Sequence, residues 1–297
     1  MAERSGGTYA ASLGLVLGGC FWGLYWLPAR EVAAHGLPGA WAGAAIFGLT
    51  ALALLPLAWI RRRRLAARWR VLARCGLSIG AAFSLYATAL LLTDVFRVIL
   101  LFYLTPVWGT LLGVALLGER LTLPRLLALG LGFAGLLVVL GAGQGMPLPR
   151  SLGDWMALAS GIAWAWGTLE IYRAGDATVS EQVLGFVLGS LAVTLALLLL
   201  PSLSGGLDAA RAGAALPWAA GMVAYLLPML VLTVWPATVL SPGRVGLLLM
   251  SEVIVGVGSA ALLAGEPFGA REGLGSALII GAGLVEVLGH RTGPAPG

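Results

Sequence analysis

Residues 244 to 256 read RVGLLLMSEVIVG and place one carboxylate, Glu252, inside a run of apolar side chains. At 1.5 Å per residue, a helix that enters a membrane at Arg244 carries Glu252 about 12 Å into a hydrocarbon core about 30 Å thick. A charge at that depth is costly unless it faces a cavity, meets a cation or binds a proton. Glu252 is therefore a candidate site residue. A neutral Glu252, hydrogen-bonded to a neighbouring helix, is the structural alternative.

The composition indicates which class of protein holds this carboxylate. Of the 297 residues, 59% are hydrophobic and 10% are charged, and the mean hydropathy is +0.95. A soluble domain of this size could not keep its surface wettable, so we expect one all-α integral membrane domain over residues 1–297. The apolar runs predict ten membrane-spanning helices, at 9–29, 38–60, 71–93, 95–117, 124–142, 153–173, 180–200, 214–236, 243–264 and 271–289.

The arginines predict the orientation of these helices. The segment RRRRLAARWRVLAR (61–74) follows the second predicted span, and placing it in the cytoplasm puts thirteen arginines inside and five outside. This asymmetry predicts that both termini are cytoplasmic. The net charge of +5 is concentrated at membrane edges, so we attribute it to topology and expect no nucleic-acid partner. The first twenty residues also resemble a lipoprotein signal, but the apolar run continues through FWGLYWLP and favours an uncleaved helix.

A repeat relates the two halves of the chain. RVILLFYLTPVWGTLLGVALLGE (97–119) aligns without a gap on RVGLLLMSEVIVGVGSAALLAGE (244–266), and GLLVVLG (135–141) aligns on GLVEVLG (283–289). Each half, 9–142 and 153–289, contains five predicted helices, so the halves enter the membrane in opposite directions. Such an inverted repeat is typical of transporters with a midplane site. The alignment pairs Thr105 with Glu252, and we expect the two side chains to face each other.

Aromatic side chains near the middle of the predicted spans suggest the lining of a cavity. Two tryptophans of the first helix are four residues apart, and two tyrosines lie at nearly equal distances from Asp94. Such rings stack on aromatic solutes or attract organic cations, although core packing is the alternative for each ring. The candidate substrate-binding residues are Trp22, Trp26, Tyr86, Tyr103, Thr105, Trp164, Thr168 and Glu252.

The sequence offers little for catalysis or metal binding. Its two histidines, His35 and His290, lie at span ends on opposite sides, and its aspartates lie at span boundaries. There is no cluster with metal-ligand spacing and no nucleotide-binding loop, so we expect no catalytic residues, cofactor or metal. Asp94 and Arg97 are three residues apart, which suggests a local ion pair. An integral membrane enzyme or a scaffold is the alternative from another functional class.

The chain combines the two five-helix halves with the Trp-Gly pairs at 22–23 and 166–167, and with Pro106 in the fourth span and Gly118 and Glu119 at its end. On these features it resembles the drug/metabolite transporter superfamily, in particular its ten-helix EamA branch. The block TDVFRVILLFYLTPVWGTLLG (93–113) further resembles the aromatic amino acid exporters of that branch. The second half departs from this pattern, because Val253 stands where the first half has Pro106. The resemblance implies export of small metabolites by alternating access, without ATP or a metal.

Together these observations predict a secondary transporter in a bacterial inner membrane. Its expected substrates are small amphipathic metabolites, first of all aromatic or other hydrophobic amino acids. A broad exporter of organic cations or drugs is the alternative. The expected partners are the substrate and the lipid bilayer, with protons as a candidate coupling ion.

Overall fold

The structure is a computed structural model of the chain. It describes residues 2–117, 123–140, 149–174, 177–204, 206–207, 209–239, 248–249, 251–265 and 268–289. Over these residues the regular secondary structure is α-helical. The helices are α1 Ala2–Leu24, α2 Trp26–Ala34, α3 Ala40–Ala53, α4 Leu55–Ala67, α5 Trp69–Leu92, α6 Val95–Phe102, α7 Thr105–Leu117, α8 Leu123–Leu140, α9 Leu152–Ala174, α10 Val179–Leu197, α11 Pro201–Ser204, α12 Ala209–Val239, α13 Ser251–Leu263 and α14 Ala270–Gly289.

Several of these helical segments are long and apolar enough to cross a membrane. In the described part of the chain there are five, and α3 with α4 makes a sixth if that bent pair is one span. The chain is thus a multi-pass membrane protein, while the count of ten spans stays a prediction. The five segments are Tyr9–Ala34, Trp69–Leu92, Val95–Leu116, Val179–Leu197 and Arg211–Pro236.

Three of the predicted spans are interrupted, although the apolar runs predict continuous helices. The breaks lie at Tyr25, at Leu54 and after Phe102. At the second break α4 leaves α3 at 74°, so the predicted span 38–60 is not one straight helix. Pro28 and Pro56 lie in the first turns of the helices that follow the first two breaks. Proline lacks an N–H group and its ring clashes with the carbonyl four residues earlier, which favours a new helix start.

Helix α5 lies at the centre of the bundle and packs along α9 and α10. Its contact with α10 depends on glycine, because a Cβ at Gly189 would overlap the Gly76 carbonyl group and a Cβ at Gly80 would overlap the Gly189 backbone. Glycine pairs of this kind let helix backbones approach closely in lipid. The contact continues one turn further, where Ser84 Oγ donates a hydrogen bond of 2.8 Å to the Ser190 carbonyl.

Helix α1 packs against α12 and α13, again through glycines. A Cβ at Gly18 would lie 3.0 Å from the Leu232 carbonyl oxygen, and one at Gly19 would overlap the Ser251 hydroxyl. Helix α6 packs against α9 and also against α13. The first turn of α13, which contains Glu252, is therefore enclosed by α1 on one side and by α6 on another.

Candidate substrate-binding site

Glu252 lies in the first turn of α13 and is buried, with 4% of its surface exposed. Its backbone is in close contact with α1, where a Cβ on Gly23 would lie 2.8 Å from the Glu252 carbonyl oxygen and 2.7 Å from the Gly256 nitrogen. Glycine at position 23 thus permits α1 to lie directly on this turn. The side chain of Glu252 extends toward helices of the first half of the chain.

Two tyrosine hydroxyl groups meet the Glu252 carboxyl group. Tyr86 from α5 donates to Glu252 Oε1 at 2.8 Å, and Tyr103, at the end of α6, lies 2.8 Å from Glu252 Oε2. The Tyr103 hydroxyl is also 3.0 Å from the Leu249 carbonyl oxygen. A buried carboxyl group needs hydrogen-bond partners of this kind, since its desolvation is otherwise uncompensated. Three separate segments of the chain converge on this cluster.

Aromatic rings surround the two tyrosines. The ring centroid of Trp22 lies 6.5 Å from that of Tyr86, and Phe102 lies 5.0 Å from Tyr86 and 5.4 Å from Tyr103. Trp164 of α9 joins through Phe102, with their centroids 6.1 Å apart. These distances are typical of favourable edge-to-face and tilted ring contacts. The structure thus brings Trp22, Tyr86, Tyr103 and Trp164 into one aromatic cluster beside Glu252.

The two tryptophans of the first span are each fixed by a hydrogen bond to the second half of the chain. Trp22 Nε1 donates to Thr233 Oγ1 at 2.8 Å, and Trp26 Nε1 donates to Ser259 Oγ at 3.1 Å. Both tryptophan side chains are buried. Trp26 lies above Ser259, nearly two turns along α13 from Glu252, and so flanks the cluster.

The two candidate threonines use their hydroxyl groups locally. Thr105 Oγ1 donates to the Phe102 carbonyl at 2.6 Å, and Thr168 Oγ1 donates to the Ala165 carbonyl at 2.8 Å. Thr168 is also exposed. The expected pairing of Thr105 with Glu252 is replaced by Tyr103, which lies two residues earlier in the same segment. The cause is the helix break after Phe102, where the Thr105 hydroxyl satisfies a carbonyl of the interrupted helix.

Two aromatic residues of this region were missed in the sequence. Phe102 contacts Tyr86, Tyr103 and Trp164, and Phe83 contacts Trp22 at 4.7 Å between ring centroids. Phe83 lies three residues before Tyr86 and so shares its helix face, a spacing that was a usable signal. Phe102 has no such signal, because its role depends on the break that follows it.

An ion-pair network closes one end of the bundle. Arg97 Nη2 lies 2.5 Å from Asp154 Oδ2, and Thr93 Oγ1 donates to Asp154 Oδ1 at 3.1 Å. The expected local pair of Arg97 with Asp94 is wrong, because the Arg97 guanidinium reaches α9 instead. Asp94 begins α6 without a side-chain cap hydrogen bond. The fork of arginine favours a two-point contact with a carboxylate, and Arg97 makes that contact with Asp154.

Arg30 extends this network to α2. It donates to the carbonyl oxygens of Leu90 and Thr93, both at 3.1 Å, and its guanidinium lies 5.2 Å from the centroid of the Trp26 ring. Helices α2, α5, α6 and α9 are therefore tied together at the end of the bundle where α5 ends. At the opposite end, Arg74 of α5 pairs with Glu170 of α9 at 3.7 Å.

Several residues that are named above or belong to the repeated segments lie outside the described residues or have side chains that are not described. These are Gly118, Glu119, Arg244, Glu266, Glu286 and His290. Among the side chains that are described, no three His, Cys, Asp or Glu residues come together as a metal site would require.

Part of the chain is similar to known transporter sequences. Residues 10–141 match the sequence model of the EamA-like transporter family. The uncharacterized transporter YvbV of Bacillus subtilis (strain 168) is 30% identical over 159 residues. The chain matches about half the length of this curated relative, since the alignment covers 52% of the chain and 51% of the relative.

A solved structure shares the fold. The crystal structure of another protein, 20% identical in sequence, superposes on this chain with a TM-score of 0.61. The superposition covers 95% of this chain and 98% of the other chain. At this identity the likeness concerns the fold alone, and it extends over nearly the whole chain. The first part of the chain is thus similar to the EamA-like transporter family, and the curated relative is also called a transporter.

Proposed function

We propose that this chain is a secondary transporter of a bacterial inner membrane that exports small amphipathic metabolites, in the first place aromatic and other hydrophobic amino acids. The observation that carries this proposal is the buried Glu252 carboxyl group, held by Tyr86 and Tyr103 within an aromatic cluster. A carboxylate pairs with a substrate ammonium group, and the rings pack on an apolar or aromatic side chain. Substrate entry replaces the tyrosine hydroxyl groups as partners of the carboxylate.

The helix packing supports the proposed inverted repeat. In that scheme each helix of the first half has a counterpart in the second, so α1, α3, α5 and α6 correspond to α9, α10, α12 and α13. If each helix is replaced by its counterpart, the contact between α1 and α13 corresponds to the contact between α9 and α6. In the same way, the contact between α3 and α12 corresponds to the contact between α10 and α5. Likewise, the contact of α1 with α12 becomes that of α9 with α5. Each of these three exchanged pairs is itself a packed pair, as a two-fold relation requires.

Alternating access gives the network of Asp154 a role in this proposal. The bonds from Arg97 and Thr93 to Asp154 hold one end of the bundle closed over the aromatic cluster. We place this end on the outside, in accordance with the arginine asymmetry. Release of the substrate then requires α6 and α9 to separate there, which breaks the pair of Arg97 with Asp154. Re-formation of the pair returns the carrier to the closed arrangement.

The hydrogen bonds of Tyr103 support proton exchange at Glu252. Tyr103 has one hydroxyl proton but lies within bonding distance of two acceptors, Glu252 Oε2 and the Leu249 carbonyl. When Glu252 is ionised, Tyr103 donates to it. When Glu252 is protonated on Oε2, it donates to Tyr103, which then donates to Leu249. The same arrangement of atoms therefore satisfies both protonation states, as a coupling residue requires.

Among the described residues, the groups that bond to the Glu252 carboxyl group carry no charge. The groups that face its carboxyl from the first half are the hydroxyls of Tyr86 and Tyr103. From α6, the guanidinium of Arg97 is turned to Asp154. From α1, the ring of Tyr25 lies 6.5 Å from the ring of Tyr225 of α12, measured between centroids.

Export of organic cations is a second candidate, favoured by the same combination of rings and carboxylate, since aromatic faces attract cations. Flux measurements in liposomes that contain only this protein separate the candidates. We expect labelled phenylalanine and tryptophan to exchange faster than alanine, glutamate and quaternary ammonium compounds. Preference for the quaternary compounds would support the second candidate. Absence of any protein-dependent flux would contradict a transporter, and chemical conversion of a solute would indicate an enzyme.

The proposed topology predicts opposite accessibility of two positions. In a variant without Cys20 and Cys75, a cysteine at Arg62 should react with an impermeant thiol reagent only from the cytoplasm. A cysteine at Gly145, between the two proposed repeats, should react only from outside, because three predicted spans, an odd number, lie between it and Arg62. Intact and inverted membrane vesicles provide the measurement. Labelling of both positions from one side would contradict the ten-helix arrangement.

A further inference from the structure

Helix α4 lies at one end of the bundle and packs against the rest of the protein through only part of its surface, including Leu57, Ala58 and Leu65. It leaves α3 at 74°, and none of its thirteen residues is buried. Its sequence, LPLAWIRRRRLAA, divides into an apolar first half and a basic second half. If α3 crosses the membrane, a helix at this angle runs along the membrane surface, where such a sequence is typical of interfacial helices.

The apolar half of α4 presents large side chains outward. The exposed fractions are 57% for Leu55, 69% for Trp59 and 76% for Ile60, and Leu52 in the last turn of α3 is 60% exposed. These four residues define an apolar strip on the outer side of α3 and α4. In a membrane protein such a strip lies against lipid, and an exposed tryptophan beside arginines is typical of the level of the lipid headgroups.

The four consecutive arginines divide into two pairs with different surroundings. Arg61 Nη1 donates to Thr178 Oγ1 at 3.3 Å, and Arg64 Nη1 lies 4.0 Å from Glu181 Oε1, so this pair holds α4 on the start of α10. Arg62 and Arg63 are exposed. The guanidinium of Arg62 lies 4.5 Å from the centroid of the Trp59 ring, at the end of the apolar strip.

From this arrangement we infer that α4 binds an anionic phospholipid. The phosphate group lies at Arg62 and Arg63, and an acyl chain lies along the strip of Leu52, Leu55, Trp59 and Ile60. A phospholipid joins an anionic headgroup to a long apolar chain. On α4 the exposed arginines likewise lie next to the apolar strip, so each part of the lipid meets a matching surface. The start of α5 extends the surface, because Trp69 is 61% exposed and Arg70 lies 5.6 Å from the centroid of its ring.

Native mass spectrometry of the detergent-purified protein, with phosphatidylglycerol and phosphatidylcholine at equal concentrations, tests the inference. We expect the parent to retain phosphatidylglycerol preferentially. The double variant Arg62→Gln/Arg63→Gln should lose that preference by roughly tenfold, since each arginine near an anionic headgroup contributes to retention. Arg211→Gln/Arg271→Gln removes the same charge at the opposite end of the bundle and should leave the preference unchanged.

Two further variants separate a lipid from other occupants. Arg62→Lys/Arg63→Lys keeps both charges and should keep most of the preference, so a loss caused by misfolding alone would be recognised. Leu55→Ser/Ile60→Ser disrupts the apolar strip and should weaken retention of phosphatidylglycerol. Equal retention of the two lipids by the parent, or unchanged retention by Arg62→Gln/Arg63→Gln, would overturn the inference. Displacement of the lipid by an equal concentration of inorganic phosphate would overturn it in favour of a soluble anion.

Discussion

Replacement of Glu252 by glutamine is expected to lower the flux of amino acids by about tenfold to a hundredfold and to flatten its dependence on pH. Glutamine keeps the shape of the side chain and can still bond to Tyr86 and Tyr103, but it offers no charge to a substrate ammonium group and binds no exchangeable proton. A hydrogen bond to a charged group contributes about 1.5–3 kcal/mol, and each 1.4 kcal/mol corresponds to about a factor of ten. Liposome flux at several pH values, with amino acids and with neutral analogues, provides the measurement.

A matched control is the same substitution at Glu31, which has an exposed side chain. Glu31→Gln should transport like the parent. Flux of neutral analogues should fall less than that of amino acids in Glu252→Gln, because only the latter have an ammonium group. If Glu252→Gln keeps the substrate preference and pH profile of the parent, Glu252 is a neutral packing residue and the proposed charge in the site is wrong.

Replacement of Gly189 by alanine is expected to prevent α5 and α10 from packing together. The added methyl group would overlap the Gly76 carbonyl group, which belongs to backbone and cannot rotate away. Overpacking of this kind costs about 1–3 kcal/mol or more, because the helices must separate. The folded yield and the midpoint of thermal unfolding in detergent should both fall.

Gly221 provides the control for this substitution. It is also helical, but a Cβ there would meet no atom of the described structure within 4 Å. Because alanine has a higher helix propensity than glycine, by about 1 kcal/mol, Gly221→Ala should leave stability unchanged or raise it slightly. Equal midpoints for Gly189→Ala and Gly221→Ala would contradict the tight contact between α5 and α10.

The composition was sufficient to predict a helical membrane protein, because apolar runs of this length have few other structures. The breaks inside the spans were harder to predict. Pro28 and Pro56 mark two of them, yet membrane helices often tolerate proline when neighbouring groups satisfy the freed carbonyls. At the angle of 74°, α4 contacts the start of α10, and that contact joins residues more than a hundred positions apart.

The residues of the candidate site could be predicted from the sequence, but the hydrogen-bond partner of each residue could not. Glu252, Tyr86 and Tyr103 were each selected from the sequence by their depth within an apolar run. Their mutual hydrogen bonds were missed, because the repeat alignment pointed to Thr105 instead. Arg97 is a similar case, since local spacing favoured Asp94 whereas packing of α6 on α9 brings Asp154 closer. Both wrong pairs depend on which distant helices lie side by side and at what level. A single sequence does not contain that information.

The contact between Gly23 and α13 fixes the position of the Glu252 carboxyl group, whereas other helices supply the groups that surround it. Backbone atoms of α1 and α13 determine where Glu252 stands, whereas the hydroxyl groups it meets come from α5 and from the end of α6. Substitutions at positions 86 and 103 therefore change what surrounds the carboxyl group without moving the backbone that holds it. In the proposed transporter, substrate preference can therefore change at those two positions while the glycine contact keeps the acidic group at the same depth.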